Sequence, residues 1–237
     1  MYGVLCLHGF TGSPKEVEPI SRYLKTHTDW LIKTPILPGH GVELALKGVG
    51  YKDWIRTAEE ELEKMIECCE RVSICGFSMG GLLGSWLAAK YPVEKLVLLS
   101  PAAYVAGPLL MGKDFAGFLK SLLCGEKPPQ MQKYKKVFHV PISAYLEFLK
   151  LARLIRPRFR EVRIPTFIVQ GKRDAVVPVK SAQYVFEAIS SEHKRLVLCE
   201  QADHMICYCE ESEKLFSEIA EFLSEKEDAK KIALAGV

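Results

Sequence analysis

Residues 73–86 read SICGFSMGGLLGSW: an apolar run, one serine between glycines, then an immediate descent into leucine and tryptophan. The order is strand, tight turn, helix. The G-x-S-x-G spacing around Ser78 predicts a turn in which Gly76 and Gly80 let strand and helix pass closely, while the serine itself takes a strained backbone. That strain lifts the hydroxyl above the sheet, at the N-terminus of a helix whose dipole favours developing negative charge.

Working outward, VLCL (4–7), LVLLS (96–100), TFIVQ (166–170) and LVLC (196–199) are, like VSICG (72–76), continuous apolar runs rather than alternating ones. Strands buried on both faces have that pattern, so they predict a parallel sheet. LIKTPI (31–36) is a sixth, more mixed candidate. Between the strands, Trp54, Ala58, Leu62, Met65 and Cys69 recur at helical spacing opposite Glu59, Glu60, Glu63 and Glu67, and Leu215, Ile219, Phe222 and Leu223 repeat the pattern. Alternating strand and helix predicts an α/β fold with helices on both faces of a mostly parallel sheet. The rhythm stops between Pro101 and Arg163, where LLMGKDFAGFLKSLL (109–123) and SAYLEFLKLARLI (143–155) have helical character. We therefore expect residues 1–100 and 164–237 to form one core and 101–163 a helical insertion within it.

At 237 residues the chain has the length of one large domain. Its 32 Lys and Arg against 29 Asp and Glu give a net charge of +3, and no basic tail or RNA-binding signature accompanies it. Composition thus argues against nucleic acid as a partner. The eight cysteines lack the spacing of a disulfide framework or of paired zinc ligands, so reduced thiols in the cytoplasm are expected; Cys207 and Cys209 alone form a CxC pair. No signal peptide or membrane span is evident.

A serine hydroxyl needs a base, and the base needs an acid to orient it. In a parallel α/β sheet both should follow strands directly, since ligands bind at the carboxyl ends. His204, in LVLCEQADHM, does so. His193 precedes that strand, His27 follows a helix, His139 lies in the insertion, and His40 in LPGHG is read as part of a shaping loop. Asp174, in TFIVQGKRDAVVP, follows a strand in a turn that ends before Pro178; it could also simply cap that turn. Asp203 competes for the role, but chain neighbours seldom bring a carboxylate against the next residue's Nδ1. An oxyanion hole is expected from the backbone N–H groups of Phe10, in the turn HGFTG after the first strand, and Met79, after the serine. His8 is assigned to holding that loop rather than to proton transfer.

With HGFTG, GFSMG, GKRDAVVP and ADHM in this order, the chain resembles the serine α/β-hydrolase superfamily, closest to its small bacterial carboxylesterases and monoacylglycerol-lipase-like enzymes. LPGHG, followed by Asp53 and Trp54, also looks like that group. The resemblance implies the α/β-hydrolase fold, a Ser78, Asp174, His204 triad with oxyanion donors Phe10 and Met79, and a helical cap after Ser100. It implies hydrolysis of small carboxylic esters through an acyl-serine, without metal or organic cofactor. The chain begins at what would be the family's third strand, which leaves the sheet minimal or its edge finished otherwise.

The insertion should roof the site. Tyr145, Phe148, Leu149, Phe115 and Phe118 are candidate substrate contacts, and their character predicts an uncharged, fairly hydrophobic acyl chain. The segment 101–163 carries twelve Lys or Arg against four Asp or Glu, which suggests a weak attraction to anionic lipid surfaces. The alternatives are another hydrolase on the same triad, namely an acyl-thioesterase, a peptidase or a hydrolase of carbon–carbon bonds, and a ligand-binding protein with slow turnover. Oligomeric state is not legible in the sequence.

Overall fold

The structure, a computed structural model, describes residues 1–105 and 140–225. The helix expected over 109–123, with Phe115 and Phe118, and His139 lie outside the described residues, as does the tail from 226. Among the described residues six strands form one sheet: β1 (Tyr2–Leu7), β2 (Leu31–Lys33), β3 (Arg71–Phe77), β4 (Leu96–Leu99), β5 (Thr166–Gly171) and β6 (Lys194–Cys199), in the order β2-β1-β3-β4-β5-β6. Every pairing is parallel, with Leu5 opposite Ile74, Gly76 opposite Leu98 and Val97 opposite Phe167. The architecture is the α/β-hydrolase fold.

Helices cover both faces because the inner strands are apolar on both. Helix α1 (Glu18–His27) and α6 (Ser212–Ser224) pack Ile20, Leu24, Leu215 and Ile219 against Val4, Cys75, Val97 and Phe167. On the opposite face lie α2 (Tyr51–Cys68), α3 (Met79–Lys90), α4 (Ile142–Ile155) and α5 (Val179–Ala188), with Trp54, Leu62, Leu82, Leu87, Leu151, Ile155 and Val185 set against Leu5, Ile74, Leu98 and Ile168. The order in which strands are added reverses at β1, which has β2 on one side and β3 on the other. Such a switch point opens a crevice at the carboxyl ends of the two strands, between the turns after β1 and β3.

Two strands differ from the sequence expectation. The run 196–199 was expected to be buried on both faces, yet β6 is the sheet edge and Leu196, Val197 and Leu198 are only half-buried. Its flanking Lys194 and Arg195 are polar guards against further pairing. The run 31–36 gives only three strand residues, and Ile36 is exposed. Proline at 35 ends the ladder there because it has no N–H to donate.

The central helix α3 carries the close approach that the glycine spacing predicted. A Cβ on Gly80 would stand 2.2 Å from Leu7 O and 2.8 Å from His8 O, and one on Gly76 would stand 2.3 Å from Gly80 O. These neighbours are backbone and cannot swing aside. Gly80→Ala is therefore expected to lower unfolding free energy by about 3 kcal/mol or more. Chemical denaturation compared with wild type measures it; an unchanged midpoint would contradict this packing.

Candidate active site

Ser78 follows β3 at φ 54° and ψ −112°, a region that a serine occupies only when its surroundings hold it there. Its N–H donates to Leu99 O at 2.8 Å, and its carbonyl accepts N–H groups from Gly81 and Ala102. The turn is thus anchored to β4 on one side and to α3 on the other. The side chain is nearly buried (7% exposed), and its Oγ lies 3.2 Å from His204 Nε2.

His204 arrives from the loop after β6. Gly171 at the end of β5 makes room: a Cβ there would stand 2.4 Å from Ala202 O and 2.5 Å from Asp203 O. Lys172 N–H donates to Cys199 O and Arg173 N–H to Ala202 O, joining the loops after β5 and β6. Ser100, at φ 47°, offers its Oγ to His204 O at 3.3 Å, and the Phe77 ring lies 4.9 Å from the imidazole. The imidazole thus sits among β3, β4 and β5.

Its Nδ1 lies 2.7 Å from Asp174 Oδ2. Asp174 Oδ1 accepts the N–H groups of Val176 and Val177, each at 2.8 Å. Capping the turn and facing the histidine are therefore not alternatives, because each uses a different oxygen of one carboxylate. Asp203 is occupied otherwise, with its Oδ1 accepting Met205 N–H at 2.9 Å. A further partner of Asp174 had escaped sequence reading: Gln170, fully buried, points its Nε2 at Oδ2 from 2.9 Å. The signal was present, since a glutamine ending an otherwise apolar strand must find polar partners.

The turn after β1 lies against the serine: a Cβ on Gly9 would stand 3.2 Å from Ser78 Cβ. Gly9 C=O accepts His8 Nδ1–H at 2.9 Å and Gly12 N–H at 3.3 Å, while Gly9 N–H donates to Glu16 Oε2 at 2.8 Å. Because a peptide is planar and trans, holding the Gly9 carbonyl also fixes the direction of the Phe10 N–H on its opposite side. His8 can do this in only one tautomer, since its Nε2 accepts Leu37 N–H at 3.1 Å and the proton must sit on Nδ1. Burial pushes the His8 pKa down to about 4, so the ring is neutral through ordinary pH. Met79 is the first residue of α3, and its N–H has no acceptor within the helix.

Above this turn the aromatic rings close together. Phe10 stacks on Phe148 of α4 (centroids 5.1 Å, 12° between planes) and meets Trp54 and His40 edge-on at 5.7 and 5.9 Å. Trp54 Nε1–H and His40 Nδ1–H both donate to Pro38 O, so the LPGHG loop and α2 are tied at one carbonyl. Burial lowers the His40 pKa as well. Of the candidate substrate contacts, Phe148 is buried, whereas Tyr145 and Leu149 are half-buried and line a cavity of about 170 Å³ with Ala102, Ala103, Tyr104 and Ala152. Arg156 closes one side, its guanidinium 4.9 Å from the Tyr104 ring. Among the described residues no cluster of His, Cys, Asp or Glu has the arrangement of a metal site, and the seven described cysteines are free.

A serine, a histidine and a carboxylate thus stand in hydrogen-bond line at the carboxyl edge of this sheet. Residues 129–212 match the family described as serine aminopeptidase S33, a span that contains Asp174 and His204. A carboxylesterase of Bacillus subtilis is 26% identical over 225 residues, covering 93% of this chain and 91% of that protein. A thermostable monoacylglycerol lipase of Bacillus sp. strain H-257 is 28% identical over 211 residues, 86% of this chain and 82% of that protein. Among solved structures, one from the work on LipS and LipT, two metagenome-derived lipolytic enzymes, superimposes with a TM-score of 0.77 at 21% identity, covering 94% of this chain and 93% of that one. The chain is a hydrolase with this fold, similar to the small bacterial carboxylesterases and monoacylglycerol lipases.

Proposed function

We propose that this protein hydrolyses carboxylic esters with uncharged, fairly hydrophobic acyl chains, through an acyl intermediate on Ser78. The observation that carries this reading is the continuous line from Ser78 Oγ to His204 Nε2 (3.2 Å) and from His204 Nδ1 to Asp174 Oδ2 (2.7 Å). His204 takes the Ser78 proton as the oxygen attacks the ester carbonyl, and Asp174 keeps the imidazole in the tautomer whose Nε2 is free to accept it. The N–H groups of Phe10 and Met79 receive the oxyanion, helped by the positive end of the α3 dipole. His204 then gives its proton to the departing alcohol. Water, activated by the same histidine, releases the acid.

We take residues 101–163 as a cap that chooses the substrate. Helix α4 supports this through Phe148, which rests on the same Phe10 whose N–H serves the oxyanion. The small cavity beside Ala102 is apolar apart from Arg156 and the tyrosine hydroxyls, which favours an uncharged acyl chain. Free thiols support a reducing compartment, the cytoplasm. No described helix is long and apolar enough to cross a membrane. The exposed basic side chains of α4 and the turn after it, Lys150, Arg153 and Arg160, support a weak, salt-sensitive attraction to anionic lipid surfaces.

The test is a series of p-nitrophenyl esters of increasing acyl length, run beside monoacylglycerols and acyl-thioesters, with fluorophosphonate labelling and peptide mapping. Turnover is expected on the uncharged esters ahead of the thioesters, with label on Ser78. A clear preference for thioesters would reassign the substrate class, and label elsewhere would reject the mechanism. On anionic vesicles the rate should fall as salt rises.

A further inference from the structure

The Asp174 carboxylate has four donors, two on each oxygen. Val176 and Val177 N–H hold Oδ1, while His204 Nδ1–H and Gln170 Nε2–H meet at Oδ2. Gln170 is the penultimate residue of β5 and has no exposed surface. Its Nε2 faces three oxygens: Asp174 Oδ2 at 2.9 Å, Val177 O at 3.0 Å and Gly171 O at 3.3 Å. Reversing the amide would set Oε1 against all three, so the orientation is fixed by its surroundings. The consequence is that Oε1 is buried with no partner among the described residues. A side chain present only to fill space would not carry such an orphaned acceptor; an apolar residue of the same length would be cheaper.

We propose that Gln170 is a positioning residue for the acid. Its amide keeps Asp174 Oδ2 on the line to His204 and takes up part of that oxygen's negative charge, so that the imidazole is oriented without holding its proton too firmly. The inference rests on the Ser78, Asp174, His204 reading given above. It adds a second donor, from the strand itself, at the one oxygen that reads the histidine.

Two substitutions separate this role from packing. Gln170→Met keeps the length and removes the donor. Gln170→Glu keeps the shape, donates while its carboxyl is protonated, and repels Asp174 once ionised. In wild type kcat/KM should rise along an acid limb, since only an unprotonated base accepts the serine's proton. Losing the donor leaves more charge on Oδ2 beside the imidazolium, which stabilises the protonated ring and moves the midpoint of that rise upward. The other charged groups near the pair are unaltered in both variants: Arg173 and Asp203 flank it in sequence, and Lys172 is paired with Glu200.

Gln170→Met is expected to lower kcat about tenfold with KM within about twofold, since a hydrogen bond to a charged group is lost at the reacting unit and not at the substrate. Gln170→Glu should shift the midpoint up by about one pH unit. The far-downfield proton resonance of His204 Nδ1, assigned by its absence in His204→Ala, should move in both variants, and this readout needs no turnover. If Gln170→Met fails to accumulate as folded protein, Gln170→Glu decides, because its neutral carboxyl retains a donor at acid pH. The inference is overturned if folded Gln170→Met keeps the wild-type midpoint and the wild-type position of that resonance, or if Gln170→Glu keeps both at a pH where its carboxyl is ionised. Persistent turnover in Ser78→Ala would instead sink the triad reading, and the resonance would still judge Gln170.

Discussion

Ser78→Ala is expected to lower kcat/KM for any ester the protein turns over by about 10⁴-fold or more, and to leave the fold intact. Both halves of that expectation come from geometry. The Ser78 hydroxyl has His204 Nε2 as its partner at 3.2 Å, while the strained turn is held by backbone bonds from Ser78 N–H to Leu99 O and from Gly81 and Ala102 N–H to Ser78 O. Alanine keeps those bonds and meets the same backbone cost at φ 54°. Thermal unfolding should therefore stay close to wild type, and fluorophosphonate labelling should vanish. Retained turnover would mean that the reacting nucleophile is another group.

Asp174→Asn should cost nearly as much, about 10⁴-fold in kcat, for a different reason. The carboxylate accepts four hydrogen bonds, and an amide can accept at only one of its two ends. With its oxygen toward Val176 and Val177, its NH₂ group confronts His204 Nδ1–H and Gln170 Nε2–H. The imidazole escapes that clash by moving its proton to Nε2, where it can no longer accept the serine's. Turned the other way, the amide meets two backbone N–H groups that cannot move. Steady-state kinetics on the purified variant checks the outcome, and activity within tenfold of wild type would show that the tautomer is fixed by something other than Asp174.

Much of this arrangement was legible because it is local. Continuous apolar runs gave the strands, since a strand buried on both faces is apolar except where a polar side chain finds a partner. The spacing of Gly76, Ser78 and Gly80 gave the turn, because only residues without a Cβ fit where backbones pass at the distances seen here. His204 and Asp174 followed from the rule that function collects at carboxyl ends of strands. Asp174's second task, holding the turn through Val176 and Val177, was recognised only as a competing explanation.

What the sequence could not carry are the relations that depend on which elements become neighbours. The run 196–199 is as apolar as the inner strands, and only its place at the sheet edge leaves it half-buried. Phe148 was read as a candidate substrate contact, and only the packing of α4 laid it on Phe10. His8 was legible as a holder of its loop, but the bonds that make it a neutral clamp on the Gly9 carbonyl come from Leu37, far along the chain, and from burial. Gln170 appeared as the last letter of a hydrophobic strand. Composition and spacing decide which strands, turns and helices form, because those depend on bonds and sterics a few residues long. Partners for a side chain are chosen by packing between segments far apart in the chain, and only the assembled sheet decides them.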